Sequence, residues 1–213
     1  MKIMIAIPCM DQLDVDFVNS LENLERVGMT RSCFHASSLV YAARDQLATV
    51  AVKQKDEYVL WLDSDMVFDA SLLKDLLETL KSKKADIVSG LFFQRRPPFE
   101  PALWKTCRIG LDGEHETEKY REYPRREPFE IEACGMAAVL MKTEVLEACI
   151  KKYHTAFQPI PGFGEDISFC IRARELGYKL ICDPRIKVSH IGRSVINETT
   201  YRHFNHMDDH KEV

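Results

Sequence analysis

The 213-residue chain has no long apolar run, no Cys-x-x-Cys pair, no internal repeat and no low-complexity segment. No stretch approaches the ~20 apolar residues of a membrane-spanning helix, so a membrane, if involved, is met from outside. Residues 1–8 are apolar but lack the longer apolar core and small-residue cleavage site of a signal peptide. Seven cysteines, at positions 9, 33, 107, 134, 149, 170 and 182, are odd in number and scattered, which argues against a disulfide framework or a zinc site and fits a reducing cytoplasm. A formal net charge of −4 gives no reason to expect nucleic acid, although Arg95-Arg96 and Arg125-Arg126 are local clusters able to meet an anion. What remains, at 46% hydrophobic and 29% charged residues, is the composition of an ordinary soluble globular protein, long enough for one substantial core.

Within that chain the organising stretch is Tyr58-Val59-Leu60-Trp61-Leu62-Asp63-Ser64-Asp65-Met66. A short apolar run after polar residues 53–57 reads as a central parallel strand covered on both faces, and open α/β sheets bind ligands beyond such C-terminal ends. Two aspartates at i and i+2 repel each other and lose solvent there, which calls for an offsetting cation or donor network; a divalent metal with a phosphate ligand fits. The bland alternative is an exposed turn, with Asp69 and Ser71 capping the helix that follows.

Around it the pattern alternates. Residues 2–7 read as a strand stopped by Pro8, and 16–27 as a helix closed by Gly28. Residues 29–34 form a weaker strand, followed by a helix capped by Ser37 or Ser38 with Arg44 and Asp45 in its middle. After the 58–62 strand come a helix at 71–81 and a strand at 87–93. Residues 94–130 are irregular, with a short hairpin around Asp112-Gly113, and read as an acceptor-side or lid segment. Strand 131–142, helix 143–152, helix 167–176 closed by Gly177, and strands 178–182 and 186–190 complete the set before a polar tail. The expected fold is α/β: one domain with a mostly parallel central sheet flanked by helices and a small irregular or hairpin insertion. Its expected parts are a nucleotide-binding half at about 1–93, an acceptor-binding half at about 94–192 and a tail at 193–213.

Three features then stand in order: Trp61-Leu62-Asp63-Ser64-Asp65-Met66 after a buried strand, Gly164-Glu165-Asp166-Ile167-Ser168-Phe169-Cys170 at a helix start, and Val188-Ser189-His190 after a late strand. On these the chain resembles the GT-A glycosyltransferases, particularly the inverting family 2-like group. The resemblance spans residues 2–192 and is weak between 94 and 130. It implies a nucleotide-diphosphate-sugar donor and a divalent ion, Mn2+ or Mg2+, which neutralises charge on the leaving diphosphate. Asp65 would be the main metal ligand, Asp63 would meet the ribose or a metal-bound water, and His190 would add a nitrogen that manganese accepts more readily than magnesium. Asp166 would be the base that removes the acceptor hydroxyl proton, with Glu165 aiding acceptor binding or holding the loop. Arg44 would face the diphosphate, beside Asp45 where related enzymes commonly carry Asn. Pro8 would set the first loop by the nucleotide, and Gly135 would let the sugar approach the backbone. The residues also carry plainer readings: a packed or surface histidine at 190, helix capping at 165–166, a helix-surface charge at 44 and a strand bulge at 135. His203, His206 and His210 read as a solvated tail.

The resulting expectation is a cytoplasmic, metal-dependent hexosyltransferase acting with inversion on a glycan, small-molecule, protein or lipid-linked acceptor, with no nucleic-acid partner. A retaining transferase shares the same metal site. A sugar-phosphate nucleotidyltransferase would need a Gly-rich, Arg-containing loop where this chain has Pro8-Cys9-Met10-Asp11-Gln12. A non-catalytic carbohydrate- or nucleotide-binding protein would keep the sheet without the acids.

Overall fold

The structure, a computed structural model, describes residues 1–110 and 113–192. Asp112 of the expected turn and the tail with His203, His206 and His210 lie outside the described residues. The elements are β1 (Lys2–Cys9), α1 (Val15–Asn23), β2 (Met29–Ala36), α2 (Val40–Gln54), β3 (Tyr58–Leu62), β4 (Met66–Val67), α3 (Leu72–Ser82), β5 (Ile87–Leu91), β6 (Leu103–Ile109), β7 (His115–Lys119), β8 (Phe129–Glu130), β9 (Ala133–Cys134), β10 (Ala138–Lys142), α4 (Thr143–Tyr153), α5 (Glu165–Glu175), β11 (Leu180–Lys187) and β12 (Ser189–His190).

Seven strands form the central sheet in the order β2-β1-β3-β10-β5-β11-β8. Pairs β2-β1, β1-β3 and β5-β11 are parallel, whereas β10 runs antiparallel to both β3 and β5. Period-2 alternation sends Met4, Ala6, Val59, Trp61, Val139 and Met141 to the face covered by α2, α4 and α5. Ile3, Ile5, Ile7, Leu60, Leu62 and Leu140 go to the face covered by α1 and α3. Burial on both faces explains why these strands read as unbroken apolar runs. Two small sheets, β12-β4 and β7-β6-β9, complete the mixed α/β fold.

Several boundaries differ from expectation. Pro8 does not stop β1: pairing with β3 ends at Ala6, so Pro8 lies where the strand is paired on one side only and a missing N–H is tolerated. Helix α1 ends at Asn23, and Gly28, at φ +65°, serves instead the turn into β2. Leu39 rather than a serine precedes α2, and the Ser37 hydroxyl accepts the Leu39 N–H at 3.1 Å. The expected 131–142 strand breaks at residues 135–137, where the chain passes from the β6 sheet to the central one. The two late strands are instead β11, continuous through Pro184, and the two-residue β12. Within 94–130 the hairpin exists, but β6 is a seven-residue strand that buries Leu103 and Cys107 and pairs with β9 at Leu103 and Trp104, which the Pro- and Arg-rich approach to it concealed.

A β-carbon at Gly28 would lie 2.7 Å from the Met1 carbonyl oxygen, in a backbone conformation that itself costs L-residues. Gly28→Ala is therefore expected to lower unfolding stability by about 2 kcal/mol, measured by urea titration.

Candidate active site

One edge of the central sheet collects every break in the pattern. The parallel strands β1 and β3 end there, at Cys9 and Leu62, and β5 ends there at Leu91. Because β10 is antiparallel, with Ala138 opposite Leu62, its entering segment 135–137 arrives at the same edge. The edge opens into a cavity of about 980 Å³ lined by the 10–14 loop, Asp63, Asp65, Gly135, Glu165, Asp166 and His190, among others.

Asp63 N–H donates to the Ala137 carbonyl at 3.1 Å, which ties the 63–65 turn to the start of β10. The turn feeds β4, and β4 pairs with β12 so that His190 is opposite Met66, while Ile191 N–H donates to the Asp65 carbonyl at 2.8 Å. Asp65 and His190, separated by more than a hundred residues in sequence, are thus placed side by side by four residues of ladder. The Phe93 carbonyl lies 2.6 Å from His190 Nδ1. A carbonyl only accepts, so Nδ1 carries the hydrogen and Nε2 is the nitrogen left for the cavity.

Arg44 rises from α2 beneath the same turn. Its Nη2 donates to Asp63 Oδ1 at 2.7 Å, its Nε reaches Glu165 Oε1 at 3.5 Å, and its Cζ sits 5.7 Å from the Trp61 ring centroid. Its side chain is 3% exposed, and burial alone would lower its proton affinity. The carboxylates of Asp63, Glu165 and Asp166 outweigh burial and hold the guanidinium above its ordinary pKa. Nη1 is buried with no hydrogen-bond partner among the described residues.

The adjacent Asp45 turns the other way. It accepts from Thr155 Oγ1 at 2.6 Å and from the N–H groups of Ala156 and Phe157 at 2.9 Å each. Ser168 accepts from Ile160 N–H at 2.8 Å and Arg172 donates to the Ala156 carbonyl at 3.1 Å, so the chain from α4 to α5 is fixed at several points. Phe157 is thereby pressed edge-on to Trp61 and stacked on Phe169. This loop delivers Gly164, the N-cap of α5, and with it Glu165 and Asp166. Asp166 Oδ1 accepts the Ile167 N–H at 2.7 Å. Burial, then the Glu165 charge, nonetheless push the Asp166 carboxyl up to about 6 against that hydrogen bond and Arg44.

Asp65 also binds protons more tightly than an ordinary aspartate, first because it is desolvated and further because of Asp63, with Arg95 and His190 opposing. Its Oδ2 is ion-paired to Arg95 Nη1. Among the described residues no group of three or more His, Cys, Asp or Glu side chains could hold a metal ion, so Asp65 and His190 stand as a pair.

Of the expected site residues, Arg44, Asp63, Asp65, Gly135, Glu165, Asp166 and His190 all line the one cavity. Pro8 does not; it is buried within β1, and the loop beyond it reaches the cavity instead. Gly135 is a strand break whose β-carbon would lie 3.1 Å from the Phe92 ring, so the packing of that ring alone requires a small residue. Trp104, Asp11 and the direct contact of Arg95 with Asp65 were not legible as site features. Of these, only Arg95 carried a signal, as half of a basic pair.

The profile of glycosyl transferase family 2 matches residues 39–149, a span that holds Arg44, Asp63, Asp65 and Gly135. No curated protein matches the sequence. Among solved structures the chain is similar to A197 from STIV, with a TM-score of 0.60 at 16% identity over 93% of this chain and 97% of that one. At that identity the likeness speaks to the fold, which is GT-A.

Asp45→Ala removes three hydrogen bonds and is expected to cost about 2–3 kcal/mol in a urea titration, with Asp45→Asn costing less because one acceptor oxygen is kept.

Proposed function

The chain belongs to glycosyl transferase family 2, and from that premise we propose that it moves a hexose from a nucleotide-diphosphate-sugar to an acceptor hydroxyl with inversion, using Mn2+ and Asp166 as base. The observation that carries this reading is the shared cavity: the acids, the arginine and the histidine expected from four separate parts of the chain line one space of about 980 Å³.

Asp65 and His190 fit a divalent ion. Their donor atoms are a carboxylate oxygen and an imidazole nitrogen, and the Nδ1 bond to the Phe93 carbonyl fixes the tautomer and ring as an outer-shell partner does for a metal-ligating histidine. With only two protein ligands, the remaining positions would fall to diphosphate oxygens and water. When bound, the ion neutralises the charge that develops on the departing diphosphate. Arg44 orients Asp63 and Glu165, and its unpartnered Nη1 is a donor suited to a ligand oxygen. The Asp166 carboxylate takes the proton of the acceptor hydroxyl as its oxygen attacks C1; a carboxyl held near 6 is a stronger base than an ordinary aspartate and is still ionised at neutral pH. We assign the reaction to the cytoplasm, in keeping with seven free cysteines. No helix among the described residues is long and apolar enough to cross a membrane, and the acceptor class is left to experiment.

Two measurements test the reading. Calorimetric titration with UDP, GDP and other nucleoside diphosphates should show one that binds only with Mn2+, and Asp65→Ala should abolish that binding; no binding of any of them would remove the donor site. Once the donor is known, kcat/KM should fall about tenfold per pH unit below the Asp166 pKa of about 6 and level off above it, because only the deprotonated base reacts. Asp166→Asn should remove that limb and lower the rate by roughly 100-fold or more. A retained anomeric configuration in the product would overturn the assignment of Asp166.

A further inference from the structure

The cavity contains two arginine–aspartate pairs of opposite character. Arg44, whose side chain is 3% exposed, is locked to Asp63 from inside the fold. Arg95, 57% exposed, meets Asp65 from solvent. It stands on the 94–100 excursion, which is pinned at its base rather than at its tip. Gln94 N–H donates to the Glu100 carbonyl at 2.9 Å, Phe93 bridges to Pro101, and Glu100 is held by Lys119 and Arg121. The Arg95 side chain, already more than half in solvent, can therefore leave Asp65 for water while the base of the excursion stays in place.

Asp65 itself requires a counter-charge, since it is partly desolvated and lies two residues from Asp63, whose own charge is already committed to Arg44. A guanidinium and a divalent ion cannot both sit at bonding distance along the same lone pair of Asp65 Oδ2, and on neighbouring positions of one carboxylate the two cations repel. We propose that Arg95 occupies the cation's place at Asp65 in the ligand-free protein, so that divalent metal binds only in competition with the Arg95–Asp65 ion pair. This rests on the reading of Asp65 as a metal ligand. It adds a regulatory contact: the site is self-neutralised at rest, and free cation is held weakly until Arg95 departs. Arg96, which lines the same cavity one residue on and for which no ion pair is formed among the described residues, is the internal control.

The experiment is a calorimetric titration with Mn2+ alone of the wild-type chain, Arg95→Ala, Arg96→Ala and Asp65→Ala, each checked for native far-UV circular dichroism. Loss of an exposed ion pair should tighten Mn2+ binding roughly fivefold in Arg95→Ala. Arg96→Ala should bind as the wild type does, and Asp65→Ala should not bind. Equal affinity in Arg95→Ala and wild type, with binding still lost in Asp65→Ala, would overturn the competition while leaving the metal site intact. So would equal tightening in Arg95→Ala and Arg96→Ala, which would reflect general charge. Binding that survives Asp65→Ala, or is absent from all four proteins, would instead sink the metal reading and the competition with it.

Discussion

A buried guanidinium holds this site together. Arg44 is nearly out of water, so its charge is tolerable only because Asp63 and Glu165 share it, and each of those acids in turn is restrained by the same group. The three come from α2, the end of β3 and the start of α5. Removing Arg44 would leave Asp63, Glu165 and Asp166 facing one another without a counter-charge, which costs far more than a single pair contributes over an apolar replacement. Trp61 beneath the guanidinium and Phe157 against Trp61 extend the dependence into the core. The geometry of the acids and the packing of the central sheet are for this reason one problem rather than two.

That arrangement also explains how two neighbouring acids acquire different characters. Glu165 faces Arg44, while Asp166 is left with a backbone N–H and burial. The helix start favours the charged form, as the acidic first turn of α5 suggests. Desolvation and the Glu165 charge prevail over it. Asp166 is thus made more basic by its neighbours, without leaving the helix that positions it.

Legibility followed chemistry more closely than geometry. The 58–62 strand was readable to the residue, because burial on both faces writes an uninterrupted apolar run that polar residues bound on each side. Asp63 and Asp65 could be selected because they follow a strand end where a sheet presents ligands, whereas Asp166, at a helix start, and His190, after a late strand, stood out through the order of the three motifs and the resemblance they carry. What stayed hidden depended on tertiary pairing. Nothing local in residues 131–142 says that the chain changes sheets at Gly135, since both halves are apolar and each is buried by a different partner. Asp45 looked like a substitution of uncertain meaning beside Arg44; its three acceptor bonds go to residues more than a hundred positions away. Pro8 misled for a similar reason, since whether a proline ends a strand depends on which flank is paired.

The placement of β10 has a bearing on how the molecule comes into being. It lies between β3 and β5, both of which precede it by dozens of residues, and joins them in the sheet. As the chain emerges from the ribosome, β1 to β3 can pair at once, but β5 has no neighbour on that side until Lys142 has been made. During this interval the flank of β3 is an open, apolar strand edge of the kind that invites pairing with other chains. The seams on either side of β10 therefore close well after β1 to β3 have paired, and the long separation of their partners makes that closure a slow, non-local step.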